Sequence, residues 1–255
     1  MNWYKITRIS MSELKVTNPE VFKNSKEYLE TLKYFDEFID DKTKSRLDSE
    51  RDRTYLGHGA YGIAHDVTDI EGYNPSGRVV EKLTREQAEI DNAEYLLDNQ
   101  SDDPDFPIAK VYHVETLKRS ADAVGGVGRI FLEYITPVDM KMAVLYDMVD
   151  MGSMSASSLD EEEWGDILNF AYISLTKASA LKWVKNKQYS NAFKTLMKEP
   201  EDIVLEKLKS CLLLMIDLES RLAKYGLRAE DVHGRNLGMK NGILYIIDLG
   251  SFSLG

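Results

Sequence analysis

An α+β fold, with a small antiparallel sheet followed by a helical region, is what the order of patterns along this chain predicts. Three observations carry the prediction. From Thr54 to about Ile135 the sequence is rich in strand-like runs interrupted by one helical pattern. From Pro137 to Gly226 apolar residues recur at helical spacing. Finally, Leu237–Met239 and Ile243–Ile247 flank Lys240-Asn241-Gly242, the Asn-Gly signature of a tight hairpin.

The elements follow in order. Tyr28, Leu32, Phe35 and Ile39 share one face of an N-terminal amphipathic helix, and the charged stretch Asp40 to Arg53 reads as its end and a linker. Thr84 and Gln87 have capping-box spacing, which predicts a helix start inside the β-rich segment. Ser158 and Glu161 repeat that spacing ahead of a helix carrying Trp164, Leu168 and Tyr172. Pro200 suits the first turn of a further helix, whose buried stripe is Val204, Leu208, Cys211, Met215, Leu218 and Leu222. Lys224 and Gly226 are its stop signals. The expected division is a helical extension over 1–53, a sheet domain over 54–136 and a helical domain over 137–255.

Composition narrows the function. The chain has 255 residues, 43% hydrophobic and 29% charged, as in a globular protein with a sizeable core. A net charge of −11 argues against nucleic-acid binding through phosphate contacts and favours basic partners. The single cysteine, Cys211, rules out an intrachain disulfide and suits a reducing compartment. With no leader-like start and no apolar stretch of membrane-spanning length, a cytoplasmic protein without a membrane partner is expected.

Four clusters carry chemistry. The first is Leu56-Gly57-His58-Gly59-Ala60-Tyr61-Gly62, where three glycines let backbone amides approach phosphate oxygens. Strand-like residues follow, so a hairpin flap fits better than the strand–glycine–helix order of a dinucleotide site. The second is Val79-Val80-Glu81-Lys82-Leu83, a strand presenting a lysine. The third is Arg129-Ile130-Phe131-Leu132-Glu133-Tyr134-Ile135, an apolar strand ending in Glu-Tyr. The fourth joins Asp231-Val232-His233-Gly234-Arg235-Asn236 to Tyr245-Ile246-Ile247-Asp248-Leu249-Gly250 across the hairpin. An aspartate suits proton acceptance. An amide and a carboxylate suit a hard cation, which takes oxygen ligands and keeps waters.

In this order the clusters resemble the protein-kinase-like superfamily over Tyr55–Ile135 and Gly226–Gly255. The chain is most similar to the compact early serine/threonine protein kinases of short-tailed bacteriophages, which share Asp-x-His-x-x-Asn, an Asn-Gly hairpin and Ser-Phe-Ser, here Ser251-Phe252-Ser253. The resemblance implies a two-lobed fold holding ATP and Mg2+ between a small sheet lobe and a helical lobe. It implies backbone contacts to phosphates from Gly57, Gly59 and Gly62, and Lys82 on the α- and β-phosphates. An acidic residue of the next helix is expected to pair with Lys82. Glu94 is favoured by its spacing to Leu96-Leu97 and Pro104, with Glu89 the rival. Backbone groups of Glu133 and Ile135 are expected on the adenine edge. Asp231 is implied as the catalytic base, with Asn236 and Asp248 as metal ligands.

The implied activity is phosphorylation of protein Ser/Thr, with basic host proteins as substrates during infection. Two other readings stay open: a small-molecule kinase of aminoglycoside-phosphotransferase type, suggested by His233 in place of the usual lysine, and a pseudokinase serving as a binding module. Ala229-Glu230 stand where most such kinases have His-Arg, and Leu249 replaces the phenylalanine after the metal aspartate. Five residues follow Gly250, so the resemblance breaks off after Asp248-Leu249-Gly250. Any substrate platform is therefore expected from Asp139–Tyr225, which matches nothing by residues. His58, His65, His113 and His233 lack zinc-ligand spacing, and no Gly-x-Ser-x-Gly elbow occurs. Met140, Met142, Met148, Met151 and Met154 read as packing residues.

Overall fold

Strand-forming runs alternate with short glycine-bearing turns through the first half of the chain, and in the computed structural model they pair into one antiparallel sheet. The structure describes residues 33–45, 55–58, 62–67, 77–122, 124–150, 161–176, 187–230 and 232–254. They fall into two units: 1–102 with 109–134, and 103–108 with 135–255. The expected division at 136/137 thus moves to 134/135, and 103–108 crosses into the second unit. The first unit is α+β and the second largely helical with short strands.

The first unit holds β1 (Tyr55–His58), β2 (Gly62–Asp66), β3 (Val79–Glu86), α1 (Gln87–Asn99), β4 (Val111–Lys118) and β5 (Val124–Glu133). The strand order is β1-β2-β3-β5-β4. The capping box expected at Thr84 and Gln87 does not form. β3 runs on to Glu86, Thr84 is a buried strand residue whose Oγ1 accepts the Glu86 N–H at 3.2 Å, and α1 begins at Gln87 without a side-chain cap. Gln87 instead braces the β4–β5 turn, its Oε1 accepting the Ser120 N–H at 2.8 Å.

Side chains alternate across a strand, so β3 sends Glu81 and Leu83 to one face and Lys82 to the other. The Glu81 face is covered from the N-terminal side. Phe35 and Ile39 pack with Leu83 and Val127 in a dry cluster, so residues 33–45 belong to the sheet's core and are not a separate extension. Tyr28 and Leu32 of the expected amphipathic face lie outside the described residues. On the same face Arg129 donates to the fully buried Glu81 at 2.5 Å and reaches Glu115 at 3.4 Å. Burial opposes the guanidinium charge, but the two carboxylates outweigh it and raise the Arg129 pKa.

The second unit contains β6 (Thr136–Pro137), α2 (Met140–Asp150), α3 (Glu161–Thr176), α4 (Lys187–Leu196), α5 (Glu201–Lys224), β7 (Leu227–Ala229), β8 (Leu237–Lys240), β9 (Ile243–Ile246) and β10 (Phe252–Leu254). Asp139 caps α2, its Oδ1 accepting the N–H groups of Lys141 and Met142 at 2.8 and 2.9 Å. Met148 of the expected packing methionines is buried, Met140 and Met142 are half-buried, and Met151 and Met154 lie outside the described residues. In α3 the buried stripe is Ile167, Ala171 and Leu175. Leu168 and Tyr172 are half-buried beside it; Ser158 and the Trp164 side chain lie outside the described residues.

Helix α5 carries the six stripe residues read from the sequence, all buried. Pro200 precedes its first turn, offering its C=O to the Val204 N–H at 3.1 Å. Gly226 follows the last turn with φ of 67°, a conformation that favours glycine. The hairpin turn has Asn241 at φ 54° and Gly242 at φ 82°, the signature of a type I′ turn. Burial pushes the Cys211 thiol pKa well up, which leaves it a packing residue. No helix among the described residues is long and apolar enough to cross a membrane.

Segment 103–108 is bound to this unit by Asp103. Its carboxylate accepts from the Tyr225 hydroxyl at 2.6 Å, the Asp105 N–H at 3.0 Å and the Lys224 ammonium at 3.0 Å, which lowers its pKa to about 2. A carboxylate with a depressed folded pKa stabilises fully above its unfolded pKa of about 4, and that contribution is lost as the pH falls through the folded value. Asp103→Ala is therefore expected to be less stable than the parent at neutral pH, the difference shrinking between about pH 4 and pH 2. Denaturant unfolding of both proteins across that range checks it; a constant gap contradicts the assignment.

Candidate functional site

In the sheet unit, β1 and β2 form the antiparallel hairpin expected of the glycine-rich cluster, with Gly57 opposite Ala64. Gly59 lies outside the described residues. Gly62 opens β2, where a Cβ would stand 2.6 Å from the Leu83 carbonyl oxygen. The close approach of β2 to β3 is a reason for this glycine that its spacing did not reveal.

Lys82 sits in the middle of β3, opposite Ala64 on β2 and Ile130 on β5. Its ammonium forms an ion pair with Glu89, whose side chain is 1% exposed. The favoured partner, Glu94, is elsewhere: its Oε1 accepts from the Thr116 hydroxyl at 2.6 Å, and both its carboxylate oxygens accept from the Arg119 Nη2, at 2.7 and 2.5 Å. The Arg119 bonds hold the Glu94 carboxyl below the usual carboxylate range against the opposing effect of burial, with Thr116 adding to them.

The correction has a simple cause. Because β3 continues to Glu86, Glu89 falls in the first turn of α1, beside the strand, while Glu94 lies more than a turn further and meets β4. A first-turn carboxylate also gains from the unsatisfied N–H groups of the helix start. Gly126 and Gly128 of β5 let α1 lie this close: a Cβ there would stand 2.5 Å from Gln87 Oε1 and 2.6 Å from Ile90 Cγ1.

The third cluster ends β5. The Glu133 N–H is taken by the Lys110 carbonyl at 2.8 Å and the Tyr134 N–H by the Arg78 carbonyl at 3.0 Å. The unit boundary falls directly after Tyr134, and Ile135 is buried.

In the helical unit, Asp231 lies outside the described residues. What flanks it is firmly held. The Glu230 N–H donates to the Ser251 carbonyl at 3.0 Å, and β7 pairs antiparallel with β10 just before and after these two positions. Beyond it, the His233 carbonyl accepts the Asn236 N–H at 2.8 Å, closing a single 3₁₀ turn over Gly234–Asn236. That turn is pressed onto α2. The Gly234 N–H donates to Asp147 at 2.5 Å, and a Cβ on residue 234 would stand 2.3 Å from the Ala143 carbonyl oxygen.

Asn236 and Asp248 are brought to the same end of the β8–β9 hairpin. With Leu237 opposite Ile246, the residues leaving the ladder are Asn236 and Ile247, joined by an Ile247 N–H to Asn236 carbonyl bond of 2.9 Å. Asp248 comes next and caps its own turn, its Oδ1 accepting the Gly250 N–H at 3.2 Å. The Asn236 amide nitrogen donates to the buried Ser251 hydroxyl at 2.6 Å; an amide oxygen is the kind of ligand a hard cation takes. One carboxylate and one amide oxygen fit a hard dication that takes its other ligands from phosphate and water. Among the described residues no three His, Cys, Asp or Glu side chains gather into a metal-holding group.

Asp147 and Ser251 are functional candidates the sequence reading missed. Nothing in the local pattern marks Asp147, since its contact lies 87 residues away. Ser251 was visible within Ser-Phe-Ser but its bond to Asn236 was not.

The two glutamates are expected to differ in stability effects. Breaking a buried pair strands a charge, so Glu89→Ala should cost about 3 kcal/mol or more, whereas Glu94→Ala, at a half-buried carboxylate paired with an exposed guanidinium, should cost about 1 kcal/mol or less. Urea unfolding of the two variants decides between them, and equal losses would count against Glu89 as the buried partner. Neither a protein-family model nor a curated protein sequence matches the chain.

Proposed function

We propose that this chain is an ATP- and Mg2+-dependent phosphotransferase of protein-kinase-like type, with a Ser or Thr hydroxyl of a protein as acceptor. The observation that carries the reading is the buried ion pair of Lys82 with Glu89. Apolar replacement of such a pair is often neutral or stabilising, so stability alone is a weak reason to keep it. A lysine fixed in the middle of a strand by a glutamate of the next helix is, by contrast, the arrangement that holds nucleotide phosphates in this class.

In this reading Lys82 binds the α- and β-phosphates, oriented by Glu89, and the β1–β2 hairpin offers backbone amides of Gly57, Gly59 and Gly62 to the phosphates. Backbone groups of Glu133 and Ile135 meet the adenine edge. Asn236 and Asp248 hold Mg2+, which when bound offsets the charge of the phosphate oxygens. Asp231 orients the acceptor hydroxyl and takes its proton as the oxygen bonds to the γ-phosphorus and the bond to the ADP oxygen breaks. The acidic balance of the chain favours basic protein acceptors. Asp231-Val232-His233 supports a second reading, transfer to a small-molecule hydroxyl.

Incubation with labelled ATP, Mg2+ and a cell lysate is expected to label protein bands. Label confined to small molecules selects the second reading, and no transfer at all selects a binding module. Asp231→Asn should lower turnover by about 10²–10⁴-fold with little change in ATP binding. Asp248→Ala should abolish the Mg2+-dependent part of ATP binding, and Lys82→Ala should weaken binding with or without metal. If calorimetry finds both variants binding Mg2+-ATP like the parent, the nucleotide site has been misassigned.

A further inference from the structure

We infer that Ser251 is a positioning residue for the metal ligand Asn236, giving its amide nitrogen the acceptor it needs while the amide oxygen faces the cation. The inference rests on the function proposed above and adds a residue to that site.

Asn236 and Ser251 are both buried, at 9% and 1% exposure of the residue, and the Asn236 Nδ2 donates to Ser251 Oγ at 2.6 Å. An amide has one oxygen and one NH2 group, and a cation accepts only the oxygen. When that oxygen is turned to the metal, the NH2 group is turned inward, where an unmatched N–H is costly. The Ser251 oxygen stands at that point.

Backbone bonds hold both partners in place. Asn236 is held through its N–H to His233 and its C=O to Ile247, at 2.8 and 2.9 Å. Ser251 is held through its N–H to Asp248 and its C=O to Glu230, at 3.1 and 3.0 Å. These bonds fix the backbone of both residues at the contact. Ser251 also closes the 3₁₀ turn that Asp248 begins, so the two proposed ligands are tied to one residue, Asn236 through its hydroxyl and Asp248 through its backbone N–H.

Removing Oγ leaves two choices for the amide. It keeps its oxygen on the cation with one N–H bond fewer, or it turns over and withdraws the oxygen. Both weaken the metal-bound state and leave nucleotide contacts in the sheet unit untouched.

The test is a titration of Mg2+ into full-length protein with a non-hydrolysable ATP analogue, read by calorimetry, for the parent, Ser251→Ala and Ser251→Thr. Ser251→Ala is expected to raise the Mg2+ concentration at half-saturation by about 10–100-fold, as loss of an outer-sphere partner typically does. Binding of the analogue without metal should be unchanged. In the Asn236→Asp background, where no buried N–H needs an acceptor, the same serine change should shift the midpoint far less. That comparison keeps the test decisive should the extra methyl of Ser251→Thr prevent folding; where it folds, Thr should restore the parent midpoint. If Ser251→Ala leaves the midpoint unmoved, or weakens metal-free and metal-loaded binding alike, the positioning role is wrong while the nucleotide site stands. If the parent itself shows no Mg2+-dependent binding, the site assignment and this inference fall together.

Discussion

The ion pair of Lys82 with Glu89 ties α1 to β3 in the sheet unit. A carboxylate with 1% of its side chain exposed stays charged only beside a cation, so α1 must lie close enough to β3 for the pair to close. Closeness has to be permitted by the neighbouring strand. Gly126 and Gly128 on β5 permit it, because any side chain there would run into Gln87 or Ile90 of the helix. Gln87 and Glu94 add further ties from α1, to the Ser120 amide, the Thr116 hydroxyl and the Arg119 guanidinium. One electrostatic requirement thus explains the helix position, two glycines and two polar braces.

The opposite face of the same strand carries a second charged group. Glu81 has no exposure and is held by Arg129, with His65 opposite it on β2 also fully buried. Such a row stays out of water only because residues 33–45 cover the sheet, with Phe35 and Ile39 packed on Leu83 and Val127. Asp40, whose pKa is lowered chiefly by hydrogen bonds from Thr43, adds its charge to the field of Arg129. The central strand is therefore polar on both faces. One face is matched by α1 and the other by a segment that precedes the sheet in sequence.

The helical unit follows a different rule, in which backbone bonds rather than ion pairs set the chemistry. The β8–β9 register puts Asn236 and Ile247 side by side, the β7–β10 pairing joins the segments around Glu230 and Ser251, and Asp147 fastens the Gly234 amide to α2. Each of these bonds is short and directional, so small polar side chains placed on them have little freedom.

Local pattern was enough for much of this. The buried stripe of α5, its glycine stop, the type I′ hairpin, the β1–β2 hairpin and the strand carrying Lys82 were all readable, because helical and strand periodicities and turn residues act over a few positions. Local pattern also misled at Thr84 and Gln87. Capping-box spacing is a short-range preference, and pairing with β5 extends β3 to Glu86 and overrides it. A separate local cue, the spacing of Glu94 to Leu96-Leu97 and Pro104, favoured Glu94 over Glu89, and it carries no information on which turn of the helix lies beside Lys82.

What the sequence by itself determined was the α+β class, the order of its elements and the small set of residues with suitable chemistry. Which glutamate meets Lys82, why residue 234 is glycine, and which side chains hold Asn236 were decided by tertiary structure. The reason is physical: burial of a charge, clearance for a Cβ and satisfaction of an amide depend on atoms 7 to 91 residues away along the chain, brought close only by folding.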